Sequence, residues 1–445
     1  MKKNEIKLSD HMTYRRLLRF TFPSICMMVF TSIYSIVDGL FISNFAGKSA
    51  FAAINLVMPA IMIVGGLGFM MGTGGSALVA KTLGEQDNKK ANEIFSSIVY
   101  FTIILGLVTS AVMFVFIPDI AVLLGATDDM LPYCITYARI LTIGNVFFML
   151  QNLFQNFFMT AARPHYAFRT AVVSGVSNMI LDAILVGVLK LGVTGAALAT
   201  ILAELIGAAI PFIYFIRPNP TVLRIVKAKI VFKNIVQTMF NGSSELLSNI
   251  STSIVGMVYN KQLLKYAGEN GVAAYGVLMY VGFVFVAIYI GYSIGTASFI
   301  SYNYGAQNIE ELKNIKKRSY SINIAFGILM VLIANLLSKP FAYIFTSYDE
   351  ELLTITSNAL KIYAFSFLLT GINIFTSNLF TALNNGLISA IISMLRTLVF
   401  QIGSVLILPL ILDLNGIWCA VLVSEIMSFT IGRIFVLAYK KKYQY

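Results

Sequence analysis

Apolar runs of about twenty residues or more recur along the whole chain, each long enough to cross a hydrocarbon layer of about 30 Å. Twelve can be delimited, at 17–43, 52–80, 94–117, 131–160, 167–189, 194–216, 235–263, 272–303, 319–337, 352–382, 388–411 and 416–438. Lipid offers no partner to backbone N–H and C=O groups, so segments of this kind close their hydrogen bonds internally as helices. The expected fold is therefore all-α and integral to a membrane, with twelve transmembrane helices. Composition excludes a soluble alternative: 58% of the 445 residues are hydrophobic and 12% charged, too few to cover a surface in water. The first run follows Lys2, Lys3, Lys7, Arg15, Arg16 and Arg19. It is too long for a signal peptide and lacks a small-residue cleavage site, so it reads as an uncleaved first helix. Cys26, Cys134 and Cys419 are scattered, and His11 and His165 are the only histidines, which leaves little for disulfide, zinc or triad chemistry.

Charge sets the orientation. With the N-terminus inside, the cytoplasmic segments hold twenty-four Lys and Arg, whereas the exterior loops hold Lys48, Lys190, Lys261, Lys265 and Lys339. That bias places both termini in the cytoplasm. The longest gap, between spans six and seven, carries Arg217-Pro-Asn-Pro and then Arg224, Lys227, Lys229 and Lys233. Its prolines stop the helix and its charge favours headgroups or cytosol.

An internal repeat with an ungapped offset of 221 residues divides the chain. Gly47 matches Gly268, Met58 matches Met279, and Gly74, Gly84 and Gln86 match Gly295, Gly305 and Gln307. Asp128 pairs with Asp349, Thr160-Ala161 with Thr381-Ala382, Gly195 with Gly416 and Glu204 with Glu425. Each half holds six spans, so both enter the membrane in the same direction, related by an axis along its normal with the substrate path between them. The expected division is an N-lobe at 1–216, a basic cytoplasmic linker at 217–234 and a C-lobe at 235–445.

An ionised group inside a span costs about 2.5–3.5 kcal/mol on insertion scales and needs a reason. Asp38 lies in span one; Asn178 and Asp182 lie four apart in span five, on one helix face. Counting from the outer ends of their spans, Asp38, Asp182 and Thr200 all fall about 8–10 Å below the outer surface. Two carboxylates, an amide oxygen and a hydroxyl in one layer suit a hard cation such as sodium, or a shared proton. The competing reading for Asn178 and Thr200 is plain interhelical hydrogen bonding.

These residues, with Phe22-Pro23, Asp38-Gly39, Gly84-Glu85-Gln86, Ala162-Arg163-Pro164, Gly192-Val193-Thr194-Gly195-Ala196-Ala197-x-Ala199-Thr200 and Gly416-Ile417-Trp418, give the chain a resemblance to the multidrug and toxic compound extrusion (MATE) family. The resemblance covers nearly the whole length. It implies a two-lobed bacterial inner-membrane antiporter that exports diverse, often cationic drug-like compounds, coupled to protons or sodium and needing no other cofactor. It implies a cation site at Asp38, Asn178, Asp182 and Thr200. Its partners would be a small-molecule substrate and the bilayer, without nucleic acid, and it would work as a monomer. Two departures stand out: Ala162 replaces the usual glycine before Arg163, and Asn384-Asn385-Gly386 lacks the arginine. Spans eight and ten hold no central acid, which points the coupling site to the N-lobe.

A substrate surface is expected from rings and thioethers that adapt to varied apolar cations. Tyr34, Phe154, Phe158, Met279 and Tyr280 are the candidates, with Glu245 in span seven as a counter-charge. Glu204 and Glu425 read as a shared structural pair, and Arg139, Lys361 and Arg396 as side chains that snorkel. A flippase for a lipid-linked sugar is the alternative, but it would want basic residues within the cleft. A membrane enzyme would want a catalytic motif, and none is found.

Overall fold

The computed structural model describes residues 6–45, 48–347 and 349–445, with side chains at all of these except 40, 42–45 and 48–51. Lys2, Lys3 and Gly47 lie outside the described residues, as does the side chain of Lys48. Helices account for the architecture, and no strand occurs among the described residues. Spans one to six are Tyr14–Phe45, Lys48–Gly84, Asn88–Leu123, Leu131–Thr160, Pro164–Asp182 and Gly192–Ile216. Span five continues past Asp182 into a π-helical stretch, Ala183–Val188.

In the second half, expected loops are replaced by single-residue breaks. Spans seven and eight run as Phe232–Gly305, broken at Gly268, whose φ of 59° and ψ of −149° only glycine adopts readily. The break is a reversal: the rings of Tyr259 and Tyr275 stack at 5.0 Å. A straight helix would hold residues that far apart by about 24 Å. Span nine is Ile309–Leu336, followed by the short helix Ser338–Thr346. Span ten is bent by 49° between Glu350–Ala364 and Phe367–Ala382. Span eleven comprises Gly386–Met394, the π-helical Leu395–Val399 and Phe400–Ile407. Span twelve, Pro409–Ala438, breaks at Asp413, where φ is 48°.

The shared G-x-Q motif has a structural cause. Gln86 and Gln307 both sit at positive φ, 65° and 54°. Each ends its helix with a pair of back-bonds, Gln86 N to Leu83 O and Asp87 N to Thr82 O, matched by Gln307 N to Tyr304 O and Asn308 N to Asn303 O. The next residue then caps the following helix: Asp87 accepts from Lys90 N at 3.0 Å and Asn308 from Glu311 N at 3.1 Å. The preceding glycines allow the two halves to touch. A Cβ on Gly84 would overlap the carbonyl of Tyr302, and a Cβ on Gly305 that of Lys81. Lys81 and Tyr302 are themselves related by the same 221-residue offset, so the contact is reciprocal.

Contacts between the halves concentrate toward this basic end. Ser24 Oγ donates to Gly291 O at 2.8 Å, joining spans one and eight. Gln86 Nε2 donates to Tyr302 OH at 3.1 Å. The stretch before span one is clasped onto span nine: Met12 N and His11 Nδ1 meet the two oxygens of Glu311 at 2.8 and 2.7 Å, and Met12 is wholly buried. The connector after span six is pinned along span three, with Arg224 N donating to Asn92 Oδ1 and Val226 N to Ser96 Oγ. Its Arg224, Lys227, Lys229 and Lys233 side chains stay exposed, as their charge requires.

Candidate functional site

Spans one, five and six pack on one another and carry the four residues singled out for an ion site. Asn178 and Asp182 are both buried on one face of span five, with Asp182 at 0% exposure. The carboxyls of Asp38 and Asp182 adjoin each other, close enough to interact. Oδ1 of Asp38 and both oxygens of Asp182 are sealed from solvent and meet no donor group among the described residues. Thr200 Oγ1 donates to Ala196 O at 3.0 Å, which satisfies its proton and leaves its lone pairs available. Two carboxyls this close repel when both are charged, a repulsion that a bound cation or a shared proton would relieve. The π-helical turn begins at the residue after Asp182, and such turns recur where a helix is shaped around a functional group.

The structure adds two residues that the sequence assigned elsewhere, Tyr34 and Glu204, and one it had not singled out, Tyr137. Tyr34, Tyr137 and Glu204 all lie within reach of the charge on Asp38. Tyr34 is one turn from Asp38 in span one, and Glu204 one turn from Thr200 in span six. Depth counting could have found Glu204, but its repeat partner drew the interpretation toward helix packing.

That pairing of roles is corrected by the second lobe. Glu425 is fully buried and bound by Arg396, whose Nη2 and Nε reach Oε1 at 2.7 and 3.0 Å. Asn373 Nδ2 adds a bond to Oε2 at 2.6 Å. Arg396 therefore does not snorkel; it neutralises a carboxylate inside the lobe. Glu204 has no basic partner and no hydrogen bond among the described residues. Arg139 rests on the face of Phe114 at 5.0 Å.

The proposed substrate surface divides. Phe154 and Phe158 are sealed, at 0% and 1% exposure, in an aromatic core with Phe95, Phe212, Tyr214 and Phe215. They offer no surface to a guest in this conformation, because the ring-on-ring packing that makes them attractive partners has already been satisfied. Tyr280 is exposed and stacks on Phe345, Met279 is half-buried, and Tyr34 is half-buried beside Phe30 at 5.9 Å. Glu245 is half-buried in span seven, where its backbone carbonyl accepts from Asn249.

The profile of the MatE family matches residues 23–184 and again 246–406, one block in each half. The chain belongs to the MatE family. A multidrug export protein MepA of Staphylococcus haemolyticus is 26% identical over 413 residues, which is 93% of this chain and 90% of that protein. MepA of Staphylococcus aureus is likewise 26% identical, across 91% of its length. Among solved structures, a MATE protein in complex with MaL6 superposes with a TM-score of 0.91 at 25% identity, covering 97% of this chain and 98% of that one. An outward-facing multidrug resistance MATE transporter gives 0.92 at 24%, covering 99% and 100%. The twelve-span, two-lobed architecture of this MatE chain is thus shared at full length.

Proposed function

We propose that this MatE protein is a cation-coupled antiporter exporting diverse, often cationic drug-like compounds by alternating access between its lobes. One observation carries the reading: Asp182 is wholly buried with both oxygens unpartnered, against an Asp38 oxygen in the same condition. A membrane protein retains such a costly pair for a transported charge. The coupling ion is a proton or sodium; sodium would be held by oxygens of Asp38, Asn178, Asp182 and Thr200, with no further cofactor. The relatives named for multidrug export support the substrate class.

The reciprocal contact at Gly84 and Gly305 supports a state closed toward the cytoplasm and open outward, with both termini inside a bacterial inner membrane. Transport leaves the substrate chemically unchanged, by a single chain acting as a monomer. A lipid-linked sugar flippase is less well supported, since Arg396, largely buried in the C-lobe, is already paired with Glu425.

Ethidium export in proteoliposomes, with sodium and proton gradients imposed separately, tests the proposal. Export should follow at least one gradient and vanish with Asp182→Asn. Export that follows neither gradient, or that survives the substitution unchanged, overturns it.

A further inference from the structure

The two lobes hold the same carboxylate in opposite states, and the difference identifies a missing partner. In the C-lobe, Ser424 Oγ donates to Arg396 O at 3.1 Å, fixing spans eleven and twelve side by side. In the N-lobe, Ser174 Oγ donates to Ala203 O at 2.8 Å and fixes spans five and six at the corresponding level. By the 221-residue offset, Gly175 stands for Arg396, Glu204 for Glu425 and Asn152 for Asn373. The carboxylate and the amide are kept; the guanidinium is gone. Asn152 turns its Nδ2 to its own helix, at Phe148 O, rather than to Glu204.

Aromatic rings stand against the backbone where the other lobe's arginine side chain begins. A Cβ on Gly175 would come within 2.6 Å of the Phe30 ring and 2.9 Å of the Tyr34 ring, so both rings close over the bare backbone. Tyr137 lies within range of Glu204 as well. Glu204 itself is half-buried and unpaired among the described residues. One turn nearer the outer surface, Asp182 is sealed and its oxygens meet no donor among the described residues. A carboxylate with the aromatic side chains of Tyr34 and Tyr137 in range favours an organic cation over a small hydrated one, because rings stabilise a diffuse charge without competing with its hydration.

We propose that Glu204, with the rings of Phe30 and Tyr34, binds the guanidinium, amidinium or ammonium head of a cationic cargo, in the place that Arg396 fills in the other lobe. The proposal rests on the export reading and assigns the cargo's charge to one residue. Thr200 and Glu204 are one helical turn apart, so cargo and coupling cation would lie about 6 Å from each other. Two positive charges at that spacing repel, which makes the occupancies compete as exchange requires.

Equilibrium binding to the purified full chain tests this without transport. Ethidium and the diamidine pentamidine are titrated against wild type, Glu204→Gln and Glu204→Asp, with the neutral dye Nile red as a control. Glu204→Gln should weaken both cations by about tenfold or more, the effect of losing one charged contact, with Nile red unchanged and Glu204→Asp intermediate. Methylguanidine, a free copy of the arginine head, should displace ethidium from wild type and leave the residual binding of Glu204→Gln unaltered. Trp418 emission verifies that each variant is folded. Wild-type affinity for both cations in a folded Glu204→Gln overturns the inference alone. Wild type that binds neither cation removes the export reading, and this inference with it.

Discussion

The two halves share a backbone plan and differ in what they do with buried charge. The C-lobe closes its account internally: Arg396, Glu425 and Asn373 satisfy one another within spans ten to twelve. Among the described residues the N-lobe gives Asp38, Asp182 and Glu204 no basic side chain, and the oxygens of Asp182 meet no donor. A charge buried with its partner is structure, whereas a charge buried alone needs something from outside. The comparison therefore predicts opposite consequences for neutralising a charge in each half.

The largest effect is expected in the N-lobe. Asp182→Asn or Asp38→Asn should abolish gradient-driven ethidium export, yet leave folded protein in the membrane, since removing an unpaired buried charge eases insertion. Export in proteoliposomes and thermal melting of the same preparations measure the two halves of that statement. Loss of folded protein together with loss of export would make these residues structural and erase the contrast.

The C-lobe should answer in stability. Arg396→Ala strands Glu425 and is expected to cost about 3–5 kcal/mol, the usual penalty for breaking a buried pair from one side. Joint replacement, Arg396→Met with Glu425→Gln, should recover most of that loss, because the amide can still accept from Asn373. Emission from Trp418, buried in the same lobe, follows the unfolding. A joint variant as unstable as the single one would mean that the pair does more than neutralise itself.

How much of this was legible beforehand depended on whether a signal was local or between helices. Spans could be counted because an apolar run of membrane length is self-sufficient evidence. Asp38 and Asp182, whose carboxyls adjoin, could be set at one level because helix rise converts sequence position into depth. The breaks at Gly268 and Asp413 were not legible as single residues, since hydropathy sees only a dip where the chain reverses. Arg396 was misread because depth says nothing about direction: its side chain turns sideways to span twelve instead of along the helix to the headgroups. The burial of Phe154 and Phe158 was not legible for a related reason, since an aromatic facing another helix looks the same in sequence as one facing a cleft.

A smaller effect tests the contact where the halves are alike. Gly84→Val and Gly305→Val each push a side chain into a carbonyl of the other half, so each should weaken the closed basic face by about 1–3 kcal/mol, the typical cost of overpacking. A cysteine pair bridging the ends of spans two and eight should crosslink readily in the parent chain and less in either variant. Equal losses would support a symmetric seal. A loss confined to one glycine would show that the repeat's geometry has outlived its mechanical equivalence.

The smallest expected effect concerns the caps that follow those glycines. Asp87 and Asn308 each accept one bond from the first turn of the next helix, at distances that differ by about a tenth of an ångström. Replacing either by Ala should cost about 1 kcal/mol, because one of the first-turn N–H groups loses its acceptor. Asp87 also places a negative charge at a helix N-terminus, worth a further few tenths of a kcal/mol when screened by solvent. Asn308 lacks the charge, but its helix carries Glu310 and Glu311 in the first turn and so already has that benefit. The two substitutions should therefore differ little at low salt, and Asp87→Ala should approach Asn308→Ala further as salt is raised. Melting of both variants at two ionic strengths measures this. A much larger loss at Asn308 would show that its cap also positions Glu311 for the clasp on His11 and Met12, a duty Asp87 does not have, and would mark a place on the basic face where the halves have diverged.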